Sequence, residues 1–509
     1  MSAAPVDPPP PPAGRRWGLV LGAALVAALL STFFFAPRFV VWRAFGVPEL
    51  GYNIEIFRSP RFLHQIEQPF DRITVASDQV IQWRLLFPLL AHWLHLPVPV
   101  VWVLPWVGCL LALATAAQLL WTHTRDVRLV WLGTLLTATC SWYFVATGWV
   151  FYFDGWLLAA MLLAAFARSR RLLLAAALLA PWIDERFILA LPLCLAVRWT
   201  QLSRDGQYRW RDWLVDTGWL SAGVTPYLGL RVWAWSAGVW QPEQSYLVNT
   251  IGFTSPAAVS LEGMWFGLRA AWLPALLWPV LVWRRGARGA GAGALLVLLA
   301  SVVFHVGMAG DVSRSASVAV PALLAGVMAW RDWPARWASC LLIAAGAANL
   351  LLPARHVVTS NPVSRIPIFY LHTELAQLSQ PPDQFNPKAY NALGVQAMQA
   401  QKIQEAYHAF TTALGLDPGY APALVNRGVL LYNHQQKAPA LADFDRAVAL
   451  DPQLWDARFS RAIALSDSGA PAKAAVDLEY LLDHAPADWP NLAQARAALA
   501  ALRARGLSP

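Results

Sequence analysis

The sequence predicts an all-α protein in two parts: a polytopic transmembrane helical domain of about 11 spans, followed by an α-solenoid of helical repeats. Three observations carry this. Of 509 residues, 57% are hydrophobic and only 14% charged, too apolar a balance for a soluble surface. Of 28 tryptophans, all but Trp455 and Trp489 precede residue 387, as expected where indoles sit at membrane interfaces. From Pro387 onward, a 34-residue periodicity replaces the apolar runs.

Four segments follow. Residues 1–16 read as a disordered, proline-rich cytoplasmic tail and 17–353 as the multi-span domain; 354–386 read as a linker, and 387–509 as three repeats plus a capping helix. The run 17–37 lacks a small-residue cleavage signature and reads as an anchor. Further apolar runs lie near 98–121, 129–147, 153–167, 172–199, 214–234, 263–283, 289–309, 315–330 and 337–353. The net charge of +9 belongs to the first part, because residues from 387 onward hold 11 basic and 11 acidic side chains. That excess sits in short arginine-bearing loops, which argues for membrane orientation and against nucleic acid. Cys109, Cys140, Cys194 and Cys340 have no zinc-type spacing, no pattern assigns a metal, and the cofactor is unknown from sequence.

One run is anomalous. "WIDERFILALP" places Asp184, Glu185 and Arg186 in the middle of 172–199. As one helix, that run would be about 42 Å long; as a hairpin, each arm is only about 18 Å. Arginine counting decides. The hairpin leaves 16 arginines in inner loops against Arg186 and Arg314 in short outer ones, whereas a single span sends nine of the 16 outside. The triplet then lies below the outer surface, where exposure to lipid would cost about 2.5–3.5 kcal/mol per charge. It reads either as the floor of a wet cavity or as a buried pair in which Arg186 neutralises its neighbours.

With eleven spans, the outer side also collects Glu49, Glu55, Glu67, Asp71 and Asp78 of a long first loop, then Asp154 in "FYFDG", and Asp311 and Arg314 in "GDVSRSA". Arg231 and Arg269 lie near outer helix ends, against the charge rule. Each has a plainer reading: helix N-caps for Asp154 and Asp311, a solvated face for the loop acids, snorkelling for the two arginines. Converging, they suit group transfer from a lipid phosphate, carboxylates acting as base and arginines holding phosphate. Asp154, Asp184, Glu185, Arg186, Arg231, Arg269, Asp311 and Arg314 are therefore the candidate substrate-binding residues.

Together with that long loop, "WRLLFPLLAHWLHLP", "YFDGWLLAAMLLAA", "PWIDERFILALP" and "DVSRSASVAVPALL" resemble, in order and character, segments of bacterial GT-C-type membrane glycosyltransferases. The resemblance covers roughly 17–353. It implies a polyprenyl-phosphate sugar donor, an outer-face active site and a catalytic carboxylate in the first outer loop. On that basis Glu55 in "GYNIEIF" is the first candidate, with Asp71 and Asp78 behind it.

The three repeats start at Pro387, Ala421 and Trp455. Position 8 holds Gly394, Gly428 and Ala462; position 20 holds Ala406, Ala440 and Ala474. Position 24 holds Phe410, Phe444 and Leu478, and position 32 holds Pro418, Pro452 and Pro486. Small residues allow close helix crossing, the large ones fill the gap, and proline ends each second helix. This is similar to tetratricopeptide (TPR) repeats, which implies a concave surface for a protein or peptide. A module that only packs on its own membrane domain is the alternative.

The reading that follows is an inner-membrane, multi-pass protein transferring a sugar from a polyprenyl-phosphate donor to an unknown acceptor, with an extracytoplasmic TPR module. Rivals are a lipid-linked glycan ligase or polymerase, expected to carry its large loop late; a non-enzymatic TPR scaffold; and a transporter, for which intramembrane charges are equally natural.

Overall fold

The computed structural model describes residues 13–37, 39, 59–71, 83–149, 151–205, 208–238, 257–285, 287–307, 311–357, 365–379, 387–399, 401–486 and 489–504. Among these, the chain is helical apart from one pair of short strands.

The N-terminal helix α1 is Ala13–Phe34. Within the first loop, α2 (Ser59–Glu67) and α3 (Leu86–Trp93) precede α4 (Val98–Thr124). Then come α5 (Val127–Ala138), α6 (Ser141–Gly148), α7 (Asp154–Phe166), α8 (Arg170–Leu179), α9 (Arg186–Leu202) and α10 (Trp210–Ser236). The first unit continues with α11 (Ala257–Leu268), α12 (Trp272–Arg284), α13 (Arg288–Gly307), α14 (Val312–Ser315), α15 (Val320–Ala329) and α16 (Ala335–Leu351). Strands β1 (Ala354–Val357) and β2 (Arg365–Ile368) pair antiparallel, and α17 is Leu371–Ser379.

Five helical stretches are long and apolar enough to cross a membrane: Arg16–Phe34, Val98–Thr124, Ala258–Arg284, Arg288–Gly307 and Val312–Asp332. The pair α5–α6, bent by 55°, makes a sixth when taken as one span. Helices α7, α8 and α9 are shorter, at 13, 10 and 17 residues, because Asp154 and the charged triplet stand where further turns at that end would be. The stretch from Val312 to Trp330 is buried throughout, so it is surrounded by protein along its whole length.

The run 172–199 reverses on itself. Arg170, at the start of α8, and Arg198, near the end of α9, both donate to the same carboxylate, Asp216, at 3.1 and 2.9 Å. The triplet is therefore the tip of a helical hairpin, at the far end of α9, about 18 Å from Arg198 by helical rise. The arginine loops gather at the opposite end. Arg204 and Arg285 both reach Asp332, and Arg331 donates to the carbonyl of His123. The loop positions sorted by charge in the sequence thus sort in space.

The structure differs from the linker reading of 354–386. Residues up to Ala376 belong to the first compact unit. Ala354, His356 and Val357 are buried, and the Val357 N–H donates to Ser313 Oγ at 3.1 Å, so Ala354–Val357 is pinned by packing and pairing.

The second unit holds α18 (Pro387–Gln399), α19 (Ile403–Leu416), α20 (Ala421–Asn433), α21 (Lys437–Leu450), α22 (Trp455–Asp467), α23 (Pro471–His484) and α24 (Leu492–Ala504). They pack as three helix pairs with α24 against α23. A Cβ at Gly394 would stand 2.5 Å from the Phe410 ring, and one at Gly428 would stand 2.6 Å from the Phe444 ring. In the third pair the sizes are exchanged: Ala462 faces the smaller Leu478, and both are buried. Gly428→Ala is expected to destabilise this unit by about 1–3 kcal/mol, the usual cost of overpacking. Adding Phe444→Leu reproduces the third pair and should recover most of that loss. Thermal unfolding of the two variants beside the wild type checks it, and a double variant as unstable as the single would refute the size-matching account.

Candidate functional site

Six of the residues singled out in the sequence converge on one ion-pair network, joined by Arg84. Asp184, at the hairpin tip, is its hub. Arg186 closes back on it through Nε and Nη2, at 2.9 and 2.7 Å. Arg84 Nη1 lies 3.2 Å and Arg314 Nη2 3.4 Å from the same carboxylate. Asp154 takes Arg186 Nη2 at 2.7 Å and Arg314 Nε at 3.0 Å. Glu185 turns away to Arg84, at 3.1 Å, and Asp311 meets Arg314 Nη1 at 3.4 Å. Glu185 and Arg186 are adjacent in sequence, yet they belong to different pairs.

Local backbone explains each placement. Asp154 opens α7, and Gly155 beside it lets α7 touch the α4 backbone: a Cβ there would be 2.4 Å from the Cys109 nitrogen. Trp156 anchors the same turn by donating to the Leu104 carbonyl at 2.7 Å. Arg314 enters on α14 at the start of the fully buried stretch, its guanidinium 4.6 Å from the Tyr152 ring centre. The N-cap readings fail. Asp311 precedes α14 but makes no side-chain cap bond, and Asp154 lies inside α7 with its carboxylate on two arginines.

The network carries three arginines and four carboxylates, a formal charge of −1. Side-chain exposure is 5% at Asp154 and Arg314 and 6% at Asp184, so pairing is obligatory there. At Arg84, burial works against the charge, but Asp184 and Glu185 outweigh it and hold the guanidinium above its ordinary value. Two cavities of about 20 Å³ each flank Asp154 and Arg314, room for a water molecule. The one beside Arg84 is walled by Phe62, Phe87, Phe151 and Phe153, with Phe62 stacked on Phe151 at 4.3 Å. Helix α2 of the first loop therefore covers the cluster.

Two other histidines and a serine adjoin it. His305 Nε2 lies 3.3 Å from the Arg186 carbonyl. His356 Nδ1 lies 3.2 Å from Ser313 Oγ and 3.5 Å from Asp311 Oδ1. Because one ring nitrogen faces both, this is not a relay in which each nitrogen serves its own partner.

The remaining candidates lie elsewhere. Arg231 donates to Tyr227 Oη at 3.0 Å and sits 5.1 Å from the Trp83 ring, next to Arg84 in sequence but in an aromatic setting. Arg269 is fully buried. It donates to the carbonyls of Thr139 and Leu352, which end α5 and α16, and lies over the Phe35 ring at 4.7 Å. It serves as a helix-end cap, satisfying carbonyls that no helix partner can reach. Asp71 is exposed and pairs with His64 at 3.1 Å. Glu55 and Asp78 lie outside the described residues.

Arg84 had a legible signal, since it is an arginine at the end of the loop read as outer, against the charge bias. His356 had none, because strand pairing brings it in from the supposed linker. No protein-family model matches the chain, and no curated relative matches it.

Proposed function

We propose that the first unit is a GT-C-like membrane glycosyltransferase domain of eleven crossings, which transfers a sugar from a polyprenyl-phosphate donor on the extracytoplasmic face. The observation that supports this is the convergence of Arg84, Arg186 and Arg314 with four carboxylates at the end opposite the arginine loops. A donor phosphate would exchange with a carboxylate on Arg84 or Arg314, since both line the aromatic-walled cavity. The four cluster carboxylates are engaged by arginines, so the acceptor's proton would go to a first-loop acid, Glu55 before Asp71 or Asp78. The second unit is then an extracytoplasmic TPR module that binds a protein or peptide.

A second reading has its own support. The network is closed and the cavities beside it are water-sized, which suits a purely structural brace in a membrane scaffold whose function lies in the repeats. Binding separates the two. Purified wild-type protein should bind polyprenyl phosphate at least about tenfold more tightly than the uncharged polyprenol, the worth of one good charge-assisted contact. Equal affinity for both would favour the brace. Orientation is tested separately: reporter fusions after residues 360 and 505 should both read extracytoplasmic, and cytoplasmic activity at both would sink the eleven-crossing topology.

A further inference from the structure

At the opposite end of the first unit, a pocket of about 660 Å³ is lined by Arg168, Arg170, Arg171 and Arg198, with Asp212 and Asp216 as its acidic residues. The four arginines and two carboxylates leave a formal charge of +2. The pocket is of small-molecule size, unlike the water-sized cavities beside the outer cluster. Positive-inside sorting accounts for arginine in this loop, but it requires no concavity.

One side of the wall is held by a hydrogen-bonded network. Arg198 is 1% exposed, with Nη1 donating to the Ala167 carbonyl at 2.7 Å and Nε to Asp216 at 2.9 Å. Tyr208 Oη donates to Asp216 at 2.7 Å, and Arg170 Nε donates to its other oxygen at 3.1 Å. Asp216 is therefore saturated by Arg198, Arg170 and Tyr208. Arg171 carries no carboxylate partner among the described residues, and the Ser169 hydroxyl makes no capping bond to its helix. Arg168, Arg170 and Arg171 all line the cavity, and Arg170 Nη2 also lies 3.7 Å from Asp212.

We propose that this pocket binds a phosphate group, presented by an anionic phospholipid headgroup. Guanidinium forks match phosphate oxygens, and basic pockets between helices recognise such headgroups. The lipid source is favoured by the flanking surface: Leu172, Trp210 and Leu214, each within two residues of a pocket residue, are 47%, 60% and 49% exposed, which gives acyl chains an apolar track. The pocket lies at the far end of the unit from the outer cluster, so it stands whether or not the transfer reading does.

The test uses the full-length protein in detergent, titrated with short-chain phosphatidylglycerol, with phosphatidylcholine of the same chain length, and with inorganic phosphate, and read by thermal shift. Phosphatidylglycerol should raise the unfolding temperature and phosphatidylcholine should not. A matching response to inorganic phosphate would support the phosphate chemistry while removing the lipid from it. Arg168→Gln/Arg171→Gln should weaken the phosphatidylglycerol response at least tenfold in concentration. Arg284→Gln/Arg336→Gln removes the same charge from the same end outside the pocket and should leave the response unchanged. Equal weakening by both pairs would overturn the proposal in favour of diffuse attraction. So would a wild type that does not distinguish phosphatidylglycerol from phosphatidylcholine.

Discussion

Arg186→Met should cost the first unit about 3–5 kcal/mol, the usual penalty for removing one partner of a buried charge pair. The side chain binds both Asp184 and Asp154, and its own exposure is only 12%. Without it, two arginines face four carboxylates, and the formal charge of the cluster moves from −1 to −2. Asp154→Leu made alongside restores the balance, because Arg314 keeps Asp184 and Asp311. The double variant should recover most of the lost stability, since a well-packed apolar pair can replace a buried ion pair at little cost. Thermal unfolding in detergent measures both. A single variant as stable as wild type would mean that water already solvates the cluster. The double variant also separates the functional readings. A brace survives the replacement with function intact, whereas a substrate site folds but no longer transfers sugar.

Glu55→Gln should abolish transfer while leaving the unfolding temperature unchanged. The amide keeps the shape and hydrogen bonding of the side chain but cannot take up the acceptor's proton. General-base catalysis is worth about 10²–10⁴-fold, so the rate in a reconstituted assay should fall by at least the lower figure. Wild-type activity in this variant would return the search to Asp78 and Asp71. Of these, Asp71 already holds His64 at the surface.

The two variants bracket how far the residues could be read unaided. Composition alone indicates an apolar helical protein, because a soluble fold cannot bury this much hydrophobic surface. Arginine placement indicates the hairpin at 172–199, since each loop carries its sorting charge locally. Asp216, holding Arg170 and Arg198 together, is the tertiary counterpart of that count. The size exchange between Gly428–Phe444 and Ala462–Leu478 was likewise visible as a 34-residue register. A repeat meets only its neighbours, so its packing rule is short-range.

The site was legible only as a list of misplaced charges. The sequence by itself determined which charges could not face lipid, and that is a property of each residue and its flanks. Which charges pair was decided by tertiary structure alone. Asp154, Asp184 and Arg314 are separated by up to 160 positions and meet only because the Val312–Trp330 stretch is buried among the other helices. The same packing sent Glu185 to Arg84 rather than to its neighbour Arg186, and drew Arg269 away to the carbonyls that end α5 and α16. A guanidinium buried among helices binds whichever acceptor the packing brings within about 3 Å, and no local pattern encodes that distance.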